Sequence, residues 1–306
     1  MDEFTRIARF SSHFARAGRT LALGIGDDAA LLRPRAGRVL AATTDTVVSG
    51  VHFGPLFRPA DIGHKALAVN LSDLAAMGAT PRWFLCALSL PAGYSAAALA
   101  GLASGMAALA GATGCVLAGG NFTAAAQLAI TITALGEVSE ALALRRGALQ
   151  PGDALVVTGA LGGAAAGLRR LRAGSRRGAQ RQLRPTPRLA AGASALGLAR
   201  AAIDVSDGLL QDVGHLATAS GVGVELWLAD LPLAAGATLT EALHGGEDYE
   251  LVLGVPPQRL RALTRRFAAL RLPLTVIGCA VKGRGLWSRE KNGRRAALEP
   301  SGYQHR

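Results

Sequence analysis

The sequence predicts an α+β protein built from two α/β domains that meet near residue 142. Three observations predict it. The chain has 306 residues, more than one hydrophobic core comfortably organises, and two domains of about 150 residues are the natural division. Half its residues are hydrophobic and only 18% are charged, a composition for packed cores and not for disorder. Short apolar runs of strand type alternate with Ala-rich segments of helical period on both sides of a turn signal, Pro151-Gly152-Asp153.

The elements follow in order. Phe4 to Phe14 is amphipathic and, with Asp2 and Glu3 before it, lacks the apolar block of a signal peptide. Arg38 to Thr44 is strand-like and runs into Asp45. Ala60 to Met77 has helical apolar spacing and ends at Gly78, a natural C-cap. Trp83 to Leu90 is a strand stopped by Pro91 and Gly93, and Ser95 is the N-cap of a helix reaching Ala112. Cys115 to Ala118 and Gln127 to Leu135 are further strands. In the second half Ala154 to Val157 is a strand and Gly163 to Leu171 a helix, after which an arginine-rich, Pro-containing stretch to Pro187 reads as a surface connection. Helix, strand and helix follow around Asp204, then strands near Val222 to Leu228, Tyr249 to Val255 and Pro273 to Val281.

The bulk charge is misleading. A net charge of +12 suggests nucleic acid, yet thirty of the 33 basic residues are arginine, a skew of codon-bias type. Eight arginines between Arg169 and Arg188 have no interleaved aromatics to stack bases, so nucleic-acid binding is not expected. Cys86, Cys115 and Cys279 form no CxxC pair and read as buried thiols of a reducing, cytoplasmic compartment. Trp83 to Gly136 contains no charge, but Pro91, glycines and polar Asn121, Thr123 and Gln127 interrupt it. It reads as buried strands around an Ala-rich helix, its Gly101-xxx-Gly105 notwithstanding, and not as a membrane span.

The acids carry the functional signal. Ten of 21 fall in five motifs: GIGDDAALL (Asp27, Asp28), TTDT (Asp45), NLSDLAAMGA (Asp73), IDVSDGLLQD (Asp204, Asp207, Asp212) and GGEDYEL (Glu247, Asp248, Glu250). A carboxylate among apolar and glycine neighbours must be paired, hydrogen-bonded or metal-bound. No arginine lies within these motifs, and oxygen donors without His or Cys favour Mg²⁺ over zinc. Gly119-Gly120-Asn121 follows a strand and Gly245-Gly246-Glu247 precedes one, so both can present N–H groups to phosphate. There is no GxxxxGK[ST]. Thr158 to Gly163 imitates a dinucleotide-binding turn, but no acid follows some twenty residues later for a ribose hydroxyl, and a tight strand-to-helix turn is the expectation.

Taken together and in this order, GIGDD, TTDTVVSGVHF, KALAVNLSDLAAMGA, SDGL and GGEDYEL resemble the thiamine-monophosphate kinase family. That family belongs to a superfamily with aminoimidazole ribonucleotide synthetase and selenophosphate synthetase. The resemblance runs from Phe4 to Tyr303. It implies a PurM-like fold and a cytoplasmic homodimer, in which an N-terminal ATP- and Mg-binding domain (1–142) pairs its strands across the dimer and a C-terminal α/β sandwich spans 143–306. It implies phosphoryl transfer from ATP to thiamine monophosphate; the alternative is a sister enzyme of the superfamily acting on another small acceptor. By the same resemblance Asp28, Thr43, Thr44, Asp45, Asp73, Asn121, Asp204 and Asp207 hold several Mg²⁺ ions, with Asp45, Asp73 and Asp207 catalytic. Gly120, Asn121, Arg145 and Ser206 bind ATP, and His52, Glu247 and Tyr303 bind the acceptor. Two departures stand out. Position 121 is Asn where many relatives have Asp, and RRGALQPGD is one residue longer than usual, so Arg145 and Arg146 can exchange roles.

Overall fold

A computed structural model describes residues 3–14, 20–289 and 293–303. They form two compact units, Met1–Leu74 with Thr80–Glu140, and Ala75–Ala79 with Ala141–Arg306.

In the first unit β3 (Val39–Val48), β4 (Thr80–Leu90), β5 (Val116–Ala124) and β6 (Ala129–Val138) form a four-stranded sheet of order β3-β6-β4-β5. Only β4 and β5 run parallel. The two-residue side-chain period sorts this sheet into faces. Phe84, Cys86, Leu88, Ile130, Ile132 and Ala134 are buried on one. Thr44, Thr46, Leu85 and Asn121 are exposed on the other. A small ribbon of β1 (Leu21–Leu23) and β2 (Leu31–Leu32) flanks the GIGDD turn.

Helices α2 (Pro59–Ala76) and α3 (Ala96–Thr113) pack against each other through glycines. A Cβ on Gly105 would lie 1.9 Å from the Ala60 carbonyl oxygen, and one on Gly63 1.9 Å from that of Leu102. The helix α3 is long and apolar enough to cross a membrane by length and composition, but its GxxxG is turned to α2, with Gly101 against Pro59. Ser95 caps α3 as the sequence suggests, accepting the Ala98 N–H, and Gly114 closes it in the left-handed region. Helix α1 (Glu3–Ser11) enters the same unit by aromatic contact, with Phe10 edge-on to Phe122 at 5.7 Å.

The second unit is built on a seven-stranded mixed sheet of order β13-β12-β9-β11-β7-β10-β8. Its strands are β7 (Ala154–Thr158), β8 (Ala201–Asp204), β9 (Gly223–Leu226), β10 (Leu251–Val255), β11 (Leu274–Val281), β12 (Gly285–Arg289) and β13 (Arg295–Leu298). Alternation again assigns the faces. Leu155, Val157, Ile203 and Val252 join Leu209, Val213 and Leu216 of α7 (Leu209–Ser220) in one core. Val156, Ala202, Leu251, Leu253 and Val255 join Leu263 and Phe267 of α9 (Pro257–Ala269), and Ala191 and Ala195 of α6 (Leu189–Ala195), in the other. Burial on both faces explains why these strands read as continuous apolar runs.

Two sequence expectations are corrected here. The stretch after α4 (Gly163–Arg172) is no mere surface connection. It contains α5 (Gln180–Leu183), with Ala179, Gln182 and Leu183 buried. Nor are α9, β12 and β13 anticipated, although Leu260, Leu263 and Phe267 carry the helical period of α9. Their register is set by neighbours, β12 pairing parallel to β9 and antiparallel to β13.

Candidate active site

The first unit assembles one acidic centre at the junction of β3 and α2. Thr43 and Asp45, two residues apart in an extended strand, project to the same side. There Thr43 Oγ1 donates to Asp73 Oδ2 of α2 (2.5 Å), and the Asp45 N–H donates to Asn70 Oδ1 (3.0 Å). Thr44 projects to the other face, where its hydroxyl meets that of Thr133 at 3.1 Å. The chain then leaves β3 through a turn in which the Val48 N–H donates to His52 Nδ1 (3.1 Å) and the buried Lys65 ammonium donates to the His52 carbonyl (2.9 Å).

The remaining sequence-predicted groups of this unit lie on the open face. Asp27, Asp28, Gly119, Gly120, Asn121 and Thr133 are among the residues lining a cavity of about 960 Å³. Residues 45, 132, 86 and 120 form one row across the sheet, so Asp45 and Gly120 stand three strand spacings, roughly 14 Å, apart. The structure thus joins Thr43, Asp45 and Asp73, and separately joins Asp28 with Asn121. It does not bring the two groups together. Gly119-Gly120-Asn121 also does not follow the strand, as the sequence suggests, but is part of β5. Gly120 is required by close approach, since a Cβ there would lie 2.0 Å from the Cys86 carbonyl oxygen.

The second unit assembles its own centre around the turn Val205–Gly208. Asp204 ends β8, and the turn that follows is held by a single carboxylate oxygen. Asp212 Oδ2 accepts the N–H groups of Ser206, Asp207 and Gly208, each at 3.1 Å. Burial, reinforced by the charges of Asp204 and Asp207, pushes the Asp212 carboxyl up to about 8. Asp212 is therefore the anchor of the turn, with the buried Asp204 and the half-buried Asp207 as its neighbouring acids. Arg145 lies at the other end of β8, its carbonyl accepting from the Ala202 N–H at 3.4 Å.

The GGEDYEL loop is fastened to this turn along its backbone. The Glu247 N–H donates to Ser206 O (2.7 Å), the Tyr249 N–H to Val205 O (2.8 Å) and the Val205 N–H to Glu250 O (2.8 Å). Gly246 must be glycine because a Cβ would lie 2.4 Å from Ser206 O. Glu247 and Tyr249 are held at φ 68° and 50°, a conformation L-residues adopt reluctantly. From the C-terminal side the Tyr303 N–H donates to Asp207 O (3.0 Å), leaving the Tyr303 ring 44% exposed. Ser206, Asp207, Glu247 and Tyr303 are thereby brought together. The last three residues of GYQHR lie outside the described residues.

Two acids of this loop take the other partners the sequence left open, hydrogen bonds and ion pairs within the protein. Asp248 accepts the N–H groups of Gly162 and Ala164 (2.9 Å to the latter), capping α4. Burial still pushes its carboxyl up to about 6. The place a dinucleotide pyrophosphate would take is thus filled by the protein's own carboxylate. In addition β7 has antiparallel neighbours on both sides, so the Thr158–Gly163 turn belongs to no parallel β-α-β unit. Glu250 is fully buried, receives Arg188 through two bonds (2.7 and 2.6 Å) and Thr158 Oγ1 (2.6 Å), and lies 3.4 Å from Arg181. Sequence reading missed Gln182, whose side-chain amide donates to Glu247 Oε2. The available signal was charge: an acid at the mouth of an apolar strand needs a donor, and the arginine-rich segment is the densest source.

Among the described residues no three His, Cys, Asp or Glu side chains are grouped closely enough to hold a metal by themselves. What the two centres offer is a set of hard oxygens, from Thr43, Asp45 and Asp73 in one and Asp204 and Asp207 in the other, without nitrogen or sulfur. That donor chemistry fits Mg²⁺.

Comparison with known proteins gives a consistent result. Residues 26–138 match the AIR synthase related protein N-terminal domain, and residues 150–288 the C-terminal domain of the same family. A curated thiamine-monophosphate kinase of Salmonella typhimurium is 41% identical, covering 90% of this chain and 89% of the relative. The solved thiamine-monophosphate kinase of Stenotrophomonas maltophilia superposes with a TM-score of 0.87 at 40% identity, over 97% and 98% of the two chains. A second solved structure, AaThiL complexed with AMPPCP and TMP, superposes at 0.80 with 31% identity, over 94% and 92%.

Proposed function

The chain belongs to the thiamine-monophosphate kinase family of AIR synthase related proteins, and from that premise we propose that it phosphorylates thiamine monophosphate with ATP, giving thiamine diphosphate and ADP. The observation that carries this reading is the match over almost the whole of both chains to proteins of that name, one solved with an ATP analogue and TMP. It is supported by the way GGEDYEL is fastened to the Ser206–Asp207 turn, placing acceptor-type and nucleotide-type residues in one rigid piece.

The chemistry needs no general base. A phosphate oxygen of the acceptor, ionised at neutral pH, attacks the γ-phosphorus; the bond to the β–γ bridging oxygen breaks, and ADP leaves with that electron pair. The obstacle is the mutual repulsion of two polyanions. Thr43, Asp45, Asp73, Asp204 and Asp207 would hold Mg²⁺, with Asp28, Thr44 and Asn121 as further oxygen donors. When bound, the ions supply charge neutralisation and alignment for in-line transfer. Asp45 and Gly120, the neighbour of Asn121, stand three strand spacings apart, so with Mg²⁺–oxygen distances of about 2.1 Å donors at the two ends of the sheet would hold separate ions. Arg145, Ser206 and Gly120 engage the nucleotide; His52, Glu247 and Tyr303 engage the acceptor. The net charge of +12 draws both phosphates inward.

The assembly is a cytoplasmic homodimer, neither nucleic acid nor a membrane being a partner. Its support is the open sheet face and the exposed apolar residues Val39, Leu40 and Leu85, which pairing of strands across two subunits would cover. Purified protein with ATP, Mg²⁺ and thiamine monophosphate should form thiamine diphosphate, with activity lost in excess EDTA. Absence of thiamine diphosphate under those conditions refutes the assignment, and a monomer by analytical ultracentrifugation refutes the dimer.

A further inference from the structure

We infer that Gln182, on the arginine-rich segment between α4 and α6, is a positioning residue that sets acceptor affinity by fixing the Glu247 carboxylate. This rests on the reading of Glu247 as an acceptor contact. Gln182 is 2% exposed, and its side-chain amide donates to Glu247 Oε2. Glu247 sits at φ 68°, so its backbone is set by the loop and its side chain by what grips it. The grip comes from α5, whose own place is fixed on either side of Gln182. Arg181 donates to the Ala160 carbonyl (2.6 Å) and approaches Glu250 (3.4 Å), while Leu183 is buried. Farther along, Arg188 closes on Glu250 through two bonds. Residues 181, 182 and 188 therefore form a latch over GGEDYEL, in which the arginines hold the loop and Gln182 aims its carboxylate.

The choice of an amide is chemically telling. Gln182 offers a neutral donor and so sets no cation beside the Glu247 carboxylate, leaving its negative charge to a cationic ligand group such as a thiazolium. An arginine at 182 would cancel that charge.

Steady-state kinetics with each substrate varied separately tests the idea, using Gln182→Met, which retains length and volume but donates nothing, beside Glu247→Gln. Gln182→Met should raise KM for thiamine monophosphate about tenfold, the factor that ~1.4 kcal/mol supplies, with KM for ATP changed less than about twofold. Gln182→Asn, keeping the amide but shortening its reach, should fall between. In the double variant Gln182→Met should add little to Glu247→Gln. The inference is overturned if Glu247→Gln raises the acceptor KM and Gln182→Met does not, or if Gln182→Met raises both KM values alike. If Glu247→Gln itself leaves the acceptor KM unchanged, the underlying reading of Glu247 fails instead.

Discussion

Removing Arg188 should cost the second unit about 3 kcal/mol. The buried Glu250 carboxylate receives two short bonds from Arg188, at 2.7 and 2.6 Å, and a 2.6 Å bond from Thr158. Its other cationic neighbour, Arg181, is 3.4 Å away and 41% exposed. Arg188→Ala deletes both charge-assisted bonds and leaves a desolvated anion with one hydroxyl and one distant, hydrated cation. Breaking a buried pair from one side typically costs 3–5 kcal/mol, and partial compensation by Arg181 places this site near the lower bound. At about 1.4 kcal/mol per tenfold, that is more than a hundredfold in the folding equilibrium. For a unit of this size, with a urea m-value of about 2 kcal/mol per M, the midpoint should fall by roughly 1.5 M. Trp227 and Trp287 lie in this unit and can report it by fluorescence. Adding Glu250→Gln to Arg188→Ala removes the stranded charge, so the double variant should be more stable than Arg188→Ala alone. A loss below about 1 kcal/mol, or a double variant whose loss is the sum of the single ones, refutes the argument.

Other perturbations probe the remaining links. Gly105→Ala drives a methyl group into the Ala60 carbonyl oxygen and should destabilise the first unit by about 1–3 kcal/mol, measured by thermal unfolding; an unchanged Tm would contradict the α2–α3 contact. Asp45→Ala and Asp73→Asn should lower turnover at least a hundredfold with far-ultraviolet circular dichroism preserved, and near-normal rates would count against the acidic centre on β3 and α2. For Asp248 the carboxyl is raised from its ordinary value to about 6 by burial, so the folded state binds the extra proton between about pH 4 and 6. Its contribution is greatest below about pH 4 and declines by up to about 3 kcal/mol as pH rises through 6. The stability difference between the parent and Asp248→Asn should accordingly shrink across that interval, and a difference that grows with pH would show the sign to be wrong.

Much of this protein is legible in its sequence because the relevant physics is local. Period and caps place α2 and α3, with Ser95 capping and Gly78 in the left-handed region. Apolar runs place β7, β8 and β10, and hard-oxygen motifs declare the chemistry. The acidic motifs also identify which segments carry it, since an acid amid alanine and glycine must have a partner.

What sequence could not decide is which partner each acid takes. The motifs holding Asp73, Asp212, Asp248 and Glu250 look alike on paper, yet only the fold gives Asp212 three backbone N–H groups, Asp248 the start of α4 and Glu250 two arginines from a segment that reads as a surface loop. Alternation along β3 likewise turns Thr44 away from Thr43 and Asp45, and strand order sets Asn121 on the far edge of the sheet. The sequence by itself determined composition, local propensity and the supply of oxygen donors, which depend on neighbours a few residues away. Tertiary structure alone decided face, register and partnership, because those follow from contacts between residues tens of positions apart, whose free energies exist only once the chain has closed on itself.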